Sequence, residues 1–341
     1  MKIEELGEFG LIDRLTKPFG HPKNTTTLIG IGDDAALLDQ VEGTKTLVST
    51  ELLMEGIHFD LVYFPLQYLG FKAVTAAVSD IIAMGGTPQQ ILVGLGISTR
   101  FQVEDVEMLM RGMQDGAELY GVDLIGGDTT SSYTGLTISV TAIGNVASGE
   151  QILRGGAKEN DLICVTGNIG AAYMGLQLLI REKIAYDDGV PDFQPKFEGR
   201  EYILQRQMKP IARLDILRQL QSNGIRPTSM IDITDGLASD LLQICKSSGV
   251  GAKLFEQRLP MDHETVGMAE EFGLSPTTVA MNGGDDYELL FTVPLGMKDL
   301  VDAIEDVRQI GYVTEPSSGV VLVSTGGSET TITAQAFPNS I

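Results

Sequence analysis

The stretch GIGDDAA, residues 30–36, combines two features that conflict in a phosphate-binding turn. Glycines spaced like Gly30 and Gly32 usually let the backbone approach a phosphate group. Asp33 and Asp34 follow within the same turn and would repel that phosphate. The conflict disappears if a divalent cation lies between the carboxylates and the phosphate. The stretch therefore raises the hypothesis of a site for a metal-bound nucleotide.

The composition is that of a globular chain with a large acidic excess. Its 341 residues are enough for roughly two domains, and 46 acidic residues against 24 basic ones give a net charge of −22. This charge argues against nucleic acid as a partner, because phosphate backbones bind clustered Lys and Arg. The sequence contains no apolar run long enough for a membrane span and no signal-peptide core near its start. Cys164 and Cys245 stand in apolar runs and are expected to be reduced, so we expect a cytoplasmic protein.

Predicted strands and helices alternate in the first half of the chain, but some strands follow one another directly. Strands are predicted at 46–50, 91–97, 122–127 and 136–146, and helices at 66–84 and 103–120. This mixture predicts the α+β class. A polar, glycine-bearing seam at 148–161 predicts two domains, 1–148 and 149–341.

The second half predicts a similar mixture. Strands are predicted at 162–167, 229–233 and 287–293, and helices near 171–180, 211–220 and 237–248. The segment 183–200 is rich in Asp, Gly and Pro and predicts an exposed loop. Asp235, just ahead of the helix at 237–248, is a candidate helix cap.

Carboxylates recur at strand ends and in glycine turns rather than along helix faces. They are Asp33, Asp34, Glu51, Asp80, Asp128, Asp232, Asp235, Asp285 and Asp286. Each one alone is typical of a turn or a helix cap. Several follow apolar strands, where a lone carboxylate would be costly to desolvate, so the repeated pattern favours a divalent-cation site. The candidate ligands are oxygen atoms, which Mg²⁺ prefers, and the chain has only three histidines to offer a zinc ion.

Other nucleotide-binding motifs fit the sequence poorly. The chain has no Gly-Lys dipeptide, which excludes a P-loop, and it lacks the H-R-D and D-F-G motifs of protein kinases. GIGDDA matches G-x-G-x-x-A, but this short pattern recurs by chance and would put two aspartates at a pyrophosphate. Spacing alone favours a packed or surface role for His58, and solvent exposure for Arg154. Arg154 lies beside glycines, however, from which it could reach a phosphate.

Nine segments in a fixed order resemble the thiamine-monophosphate kinase family of the aminoimidazole-ribonucleotide-synthetase-like superfamily. They are GEFGLIDRL, GIGDDAALL, LVSTELLMEGIHF, AVSDIIAMGGTP, LIGGDTT, RGGAK, VTGNIGAA, IDITDGLASDL and NGGDDYELLFTV. Together they extend from residue 7 to about residue 293. The histidine in EGIHF separates this family from its relatives.

The resemblance implies ATP-dependent phosphorylation of thiamine monophosphate to thiamine diphosphate. It implies direct transfer assisted by several Mg²⁺ ions, with no covalent catalytic residue. The fold it implies has an N-terminal α+β domain that forms a homodimer, a C-terminal α/β domain, and a site in the cleft between them. The implied metal ligands are Asp34, Ser49, Thr50, Glu51, Asp80, Asp128, Asp232 and Asp235. The implied ATP contacts are Gly127, Asp128, Arg154 and Thr234, and the implied substrate contacts are His58, Asp285 and Phe337.

Three positions depart from the family pattern. Glu51 stands where the family usually has Asp, so a metal must lie further from that backbone by about the length of one methylene group. Asp285 replaces the usual Glu, and Phe337 is the candidate for the C-terminal aromatic that packs on the substrate. Two alternatives stay open: a superfamily relative that uses ATP on another substrate, and a non-catalytic protein that binds metal or nucleotide.

Overall fold

The computed structural model describes residues 11–12, 14–29, 31, 36–189 and 193–334. The chain forms two compact units, Met1–Gln151 and Ile152–Ile341. Both contain helices and sheets, which confirms the predicted α+β class. In the described part of the chain, no helix combines the length and the apolar content that a membrane crossing requires.

The first unit is built around a four-stranded mixed sheet. Its elements are β1 (Thr27–Ile29), β2 (Leu37–Leu38), β3 (Thr44–Met54), α1 (Leu66–Ala83), β4 (Thr87–Ile97), α2 (Val103–Tyr120), β5 (Asp123–Ser131) and β6 (Thr137–Ala147). The sheet order is β3-β6-β4-β5, in which β4 and β5 are parallel and the other pairs are antiparallel. Strands β1 and β2 form a separate antiparallel pair.

The two sides of this sheet differ in burial. On β4, Ile91, Val93 and Leu95 are buried, whereas the residues between them are half-buried. This alternation is the period of a strand with one covered face. Helix α1 contacts β3, β4 and β6 and is buried from Leu69 to Ala83 except at Asp80, so α1 covers that face.

Glycines bring α1 and α2 unusually close together. A Cβ on Gly112 would lie 1.7 Å from the carbonyl oxygen of Gln67, and a Cβ on Gly70 would lie 2.0 Å from that of Leu109. No side chain fits at these distances, so the helix crossing requires glycine at both positions.

The second unit contains a seven-stranded sheet with helices. Its strands are β7 (Leu162–Thr166), β8 (Ser229–Asp232), β9 (Gly251–Phe255), β10 (Leu289–Val293), β11 (Val307–Thr314), β12 (Val320–Val323) and β13 (Glu329–Thr331). Its helices are α3 (Ala171–Asp187), α4 (Glu201–Met208), α5 (Leu214–Ser222), α6 (Leu237–Ser248), α7 (His263–Glu271), α8 (Pro276–Asn282) and α9 (Lys298–Asp302). The strand order is β13-β12-β9-β11-β7-β10-β8, antiparallel except for β9 with β12.

Two apolar clusters stabilise this unit. One joins α6, through Leu237 and Leu241, to sheet residues such as Ile163 and Leu290. The other joins α3, α4, α7 and α8 through residues such as Leu178 and Ile203. Strands β7 and β10 are buried along their whole length, as central strands covered on both faces are expected to be.

Two local expectations from the sequence were wrong. The loop predicted at 183–200 begins later, because α3 continues to Asp187. Asp235 does not cap α6: the N-cap position is Gly236, with a backbone φ of 108°, and no side chain caps the helix from that position. The carboxylate of Asp240, inside the first turn of α6, instead accepts a hydrogen bond from the backbone N–H of Thr234 at 3.2 Å.

Candidate active site

Ser49 and Asp80 lie together in the first unit. The hydroxyl of Ser49 on β3 donates a hydrogen bond to Asp80 Oδ2 on α1, and both residues are half-buried. Glu51 is half-buried two residues further along β3, so it shares the helix-covered side of the sheet with Ser49. Three oxygen-bearing side chains from the predicted metal ligands therefore belong to the same side of this sheet.

Thr50 lies on the opposite side of β3. It is exposed, and its hydroxyl is 3.0 Å from the hydroxyl of Thr141 on β6. Asp128 on β5 is also exposed and lines an open groove of about 480 Å³ with Gly94, Tyr133 and Ser139. The first unit thus distributes the predicted ligands over both sides of its sheet.

Gly127, a predicted ATP contact, pairs with Val93 in the parallel β4–β5 ladder. A Cβ at Gly127 would lie 1.9 Å from the carbonyl oxygen of Val93. The position therefore excludes every residue with a side chain, and the exposed backbone of Gly127 stays open to an approaching group.

His58 is exposed in the turn that follows β3. Its Nδ1 accepts a hydrogen bond from the backbone N–H of Met54 at 3.0 Å, and its own backbone N–H donates to the Met54 carbonyl at 2.9 Å. Because Nδ1 is an acceptor, the neutral ring carries its proton on Nε2. The packed-histidine alternative does not describe this residue, whose ring is held by the turn and lies at the surface.

In the second unit, the segment after β8 meets the segment before β10. The two strands are antiparallel neighbours, with Asp232 opposite Leu289, so the end of one adjoins the start of the other. The Asp285 N–H donates to the Thr234 carbonyl at 2.8 Å, and the Tyr287 N–H donates to the Ile233 carbonyl at 2.9 Å. Four predicted site residues are therefore brought into one region: Asp232, Thr234, Asp235 and Asp285.

Negative charge is concentrated in this region. Asp232 is buried, and Asp235 is exposed on the segment that follows it. Burial, with the neighbouring carboxylates of Asp235 and Asp232, raises the pKa of Asp240 to about 8. A carboxyl group that resists ionisation beside two others marks a place where a cation would be stabilised. The oxygen donors of Asp232 and Asp235 fit a hard cation such as Mg²⁺.

Arg154 is exposed in the RGGAK segment, residues 154–158. The N–H groups of Gly156 and Ala157 donate to Ser248 Oγ at 3.1 Å, which holds this segment against the end of α6. A Cβ on Gly156 would lie 2.4 Å from the Thr228 carbonyl oxygen, so the segment also packs tightly beside the start of β8.

Two predicted residues, Asp34 and Phe337, lie outside the described residues. Within the described ranges, no three His, Cys, Asp or Glu side chains are grouped closely enough to hold a metal ion. Sequence reasoning also missed Asp240 and a buried ionic cluster of Arg206, Arg213 and Glu288. Glu288 lies inside the quoted segment NGGDDYELLFTV, but no spacing pattern connects it to the two arginines.

Comparison with known proteins identifies the family. Residues 32–146 match the family described as AIR synthase related protein, N-terminal domain, and residues 158–324 match AIR synthase related protein, C-terminal domain. The thiamine-monophosphate kinase of Bacillus subtilis (strain 168) is 33% identical over 325 residues, which cover 94% of this chain and 95% of that protein. The chain belongs to the thiamine-monophosphate kinase family.

A second curated relative and a solved structure are also similar along nearly their whole length. The thiamine-monophosphate kinase of Aquifex aeolicus (strain VF5) is 34% identical over 315 residues, which cover 92% of this chain and 94% of that protein. The solved structure of AaThiL complexed with AMPPCP and TMP is 31% identical, with a TM-score of 0.74, and covers 97% of this chain and 96% of that one. The fold is therefore that of the family.

Proposed function

We propose that this chain transfers the γ-phosphoryl group of ATP to the phosphate of thiamine monophosphate, giving ADP and thiamine diphosphate. The match to a thiamine-monophosphate kinase over 94% of the chain carries the proposal. AaThiL, which is similar over 97% of this chain, was solved with AMPPCP, an analogue of ATP, and with TMP.

The reaction brings two phosphate groups together, which sets its electrostatic requirement. At about 4 Å, two unit negative charges repel by roughly 4 kcal/mol at an effective dielectric constant near 20. Bound Mg²⁺ ions supply the neutralising charge for this transfer. The proposed ligands are Asp34, Ser49, Thr50, Glu51, Asp80, Asp128, Asp232 and Asp235. All provide oxygen donors, the ligand type that Mg²⁺ prefers.

The remaining predicted residues are proposed to bind the two reactants. Gly127, Asp128, Arg154 and Thr234 are the proposed ATP contacts, and His58, Asp285 and Phe337 are the proposed substrate contacts. His58 presents an exposed imidazole whose Nδ1 is engaged by Met54, which leaves the Nε2–H as the donor in the neutral ring. Arg154 is exposed and supplies a planar guanidinium, the group best suited to phosphate oxygens.

Direct transfer, without a covalent enzyme intermediate, agrees with the low reactivity of the two cysteines. Burial raises the pKa of Cys164 to about 12 and that of Cys245 to about 11, so neither forms a thiolate nucleophile near neutral pH. Catalysis in this proposal comes from holding donor and acceptor in line and from neutralising their charge.

We also propose that the chain forms a homodimer through the outer side of the first unit's sheet. Val48, Leu52 and Met54 alternate along β3 and are 65%, 52% and 40% exposed, respectively. They share this exposed side of β3 with Thr50, so the side presents three apolar side chains and one hydroxyl group to solvent. Exposed apolar side chains in such a row are typical of an interface, and Thr50 puts the proposed metal site at the border of this one.

The decisive experiment is an assay of the purified protein with ATP and thiamine monophosphate. With Mg²⁺ present, chromatography should detect thiamine diphosphate and ADP in equal amounts, and a chelator should abolish both. Free thiamine should be a poor acceptor, because the site is proposed to bind a substrate phosphate. A folded protein that forms no thiamine diphosphate under Mg²⁺ saturation would contradict the proposal. ADP formed only with another acceptor would indicate a different substrate.

A matched pair of variants tests the metal ligands. Asp232→Asn keeps the size of the side chain and removes its charge, so it should lower kcat by at least about a hundredfold and weaken Mg-ATP binding. Asp187→Asn changes an exposed residue at the end of α3 and should leave kcat unchanged and stability within about 0.5 kcal/mol. Equal activity in the two variants would remove Asp232 from the proposed set.

A further inference from the structure

The segment that carries Asp285 has a strained backbone. Asp285 has φ 59° and Tyr287 has φ 54°, in the left-handed region that residues with side chains seldom adopt. Such conformations persist only where the surroundings determine them. The contacts around residues 283–288 therefore decide where the Asp285 carboxylate lies.

One side of the segment is held by the backbone that follows β8. The N–H groups of Asp285 and Tyr287 donate to the carbonyls of Thr234 and Ile233. Gly284 approaches that backbone so closely that a Cβ would lie 2.6 Å from the Thr234 carbonyl oxygen. These contacts hold the N–H of the peptide between Asp286 and Tyr287 but do not engage its carbonyl oxygen, which belongs to Asp286.

Arg206 holds that peptide from the other side. Its Nη2 donates to the Asp286 carbonyl at 2.9 Å and to the Asn168 carbonyl at 3.3 Å. The same nitrogen lies 2.9 Å from Glu288 Oε1, and the Arg206 side chain is 14% exposed. The Asp286 carboxylate in turn accepts the Gly170 N–H at 2.9 Å, which ties the segment to the start of α3.

Glu288 keeps Arg206 in this position. Its other oxygen, Oε2, accepts a hydrogen bond from Arg213 Nη1 at 3.0 Å and one from the Thr166 hydroxyl. The carboxylate is buried, and its hydrogen bonds from Arg213 and Thr166 are both made at Oε2. Oε1 faces Arg206 as an ion pair without a hydrogen bond among the described residues. A buried carboxylate held at Oε2 in this way gives the Arg206 guanidinium a fixed counter-charge.

We infer that Arg206 is a positioning residue for substrate binding: it holds the Asp286 peptide and thereby places the Asp285 carboxylate. The inference rests on the proposed function, in which Asp285 contacts thiamine monophosphate. The Arg206 contacts are with Asn168, Asp286 and Glu288, none of which is a proposed substrate contact. All three contacts are made by Nη2, at the far end of the side chain. A lysine Nζ lies one bond closer to the backbone, so an ammonium at position 206 falls short of the Asp286 carbonyl.

The test compares Arg206→Met and Arg206→Lys with wild type. Arg206→Met should raise KM for thiamine monophosphate by about tenfold or more while KM for ATP stays within about twofold. Arg206→Lys keeps the charge opposite Glu288 and protects the fold, but should still raise KM for thiamine monophosphate. Arg181→Met is the matched control. Arg181, on α3, also pairs with two carboxylates, but these are Glu182 and Glu271, which lie outside the segment 283–288. This variant should lower stability without changing KM for thiamine monophosphate.

Hydrogen exchange separates this inference from the proposed function. In Arg206→Lys, the amides of residues 285–287 should exchange at least about tenfold faster than in wild type, while those of β10 keep their protection. Unchanged exchange, or an active wild type whose Arg206 variants keep the KM for thiamine monophosphate, would overturn the inference. Faster exchange in a protein that lacks kinase activity would support the positioning of Asp285 and refute the proposed function.

Discussion

His58 is the residue that most directly tests substrate recognition. Its ring is exposed and, among the described residues, is engaged by the local turn through Met54, so His58→Ala should change stability by about 1 kcal/mol or less. It should raise KM for thiamine monophosphate by about tenfold or more and leave KM for ATP unchanged. Steady-state kinetics with each substrate varied would measure both effects.

The control for this variant is His263→Ala. His263 lies at the start of α7 with its side chain 89% exposed, and no role is proposed for it. If both variants have wild-type kinetics, His58 is an ordinary surface histidine.

Asp286 makes stability depend on pH. Burial raises its pKa to about 7, although the nearby Arg206 opposes that shift. Between about pH 4 and about pH 7, the folded protein therefore keeps a proton that the unfolded chain has lost. This proton stabilises the fold fully at low pH, and its contribution decreases by about 1.4 kcal/mol per pH unit as the pH rises through this window.

Asp286→Asn should remove that dependence, because the amide does not titrate. As the pH rises from about 4.5 to about 7, wild type should lose this contribution and the variant should not. The variant should therefore become more stable relative to wild type over this range. Urea unfolding followed at several pH values would measure the difference. Parallel curves for the two proteins would show that the carboxyl of Asp286 does not hold its proton in this range.

At the scale of elements, two helical glycines differ in their surroundings: one is required by close helix packing, and the other only lowers helix propensity. Gly112→Ala places a Cβ 1.7 Å from the Gln67 carbonyl oxygen, so α1 and α2 must move apart. We expect a loss of about 3 kcal/mol or more in the free energy of unfolding. Gly267→Ala, in α7, meets no atom within 4 Å and should instead stabilise by about 0.5–1 kcal/mol through helix propensity.

Thermal unfolding of the two glycine variants measures this contrast. A lower midpoint for Gly112→Ala and an unchanged or higher midpoint for Gly267→Ala are the expected results. Two variants of equal stability would mean that the helix crossing adjusts to the added methyl group.

Several elements could be predicted closely because their period is local. The apolar spacing predicts helices at 103–120 and 237–248, and these are the bounds of α2 and α6 in the structure. Their apolar residues recur at helical spacing and each ends at a glycine in the left-handed conformation, Gly121 or Gly249. The start of α6 could not be predicted as closely, because Gly236 and not Asp235 is the N-cap and the Asp240 side chain bonds to the backbone of Thr234.

At the scale of the whole molecule, the proposed homodimer depends on an apolar surface. Leu52→Asp places a charge on the outer side of β3 and should convert a dimer into a monomer, because an unpaired charge in an apolar interface is costly. Light scattering after gel filtration, at several protein concentrations, would measure the mass in solution.

Leu119→Asp is the control for this substitution. Leu119 is also 52% exposed but lies on α2, so its variant should keep the mass of wild type. A wild type that is monomeric at all concentrations, or a Leu52→Asp dimer, would refute the proposed interface.

The sequence by itself determined the α+β class and the oxygen-donor type of the predicted metal ligands. Its nine ordered segments also indicated membership of the thiamine-monophosphate kinase family. These depend on information that is local: periodicity over one element, glycines in single turns, and carboxylates that follow apolar strands. Asp80, Asp232 and Asp285 could be named as candidate site residues for this reason, whereas Ser49 could be named only through the resemblance to the family. Their individual roles stay predictions.

Only the tertiary structure decided which of these residues meet. Asp285 lies beside Thr234 because β10 pairs with β8, and Asp128 lies on the opposite side of the sheet from Ser49 because of strand register. The network of Arg206, Arg213 and Glu288 is likewise invisible in the chain, since its members come from separate elements. Strand pairing and the burial of charge depend on contacts between distant segments, which no local pattern encodes.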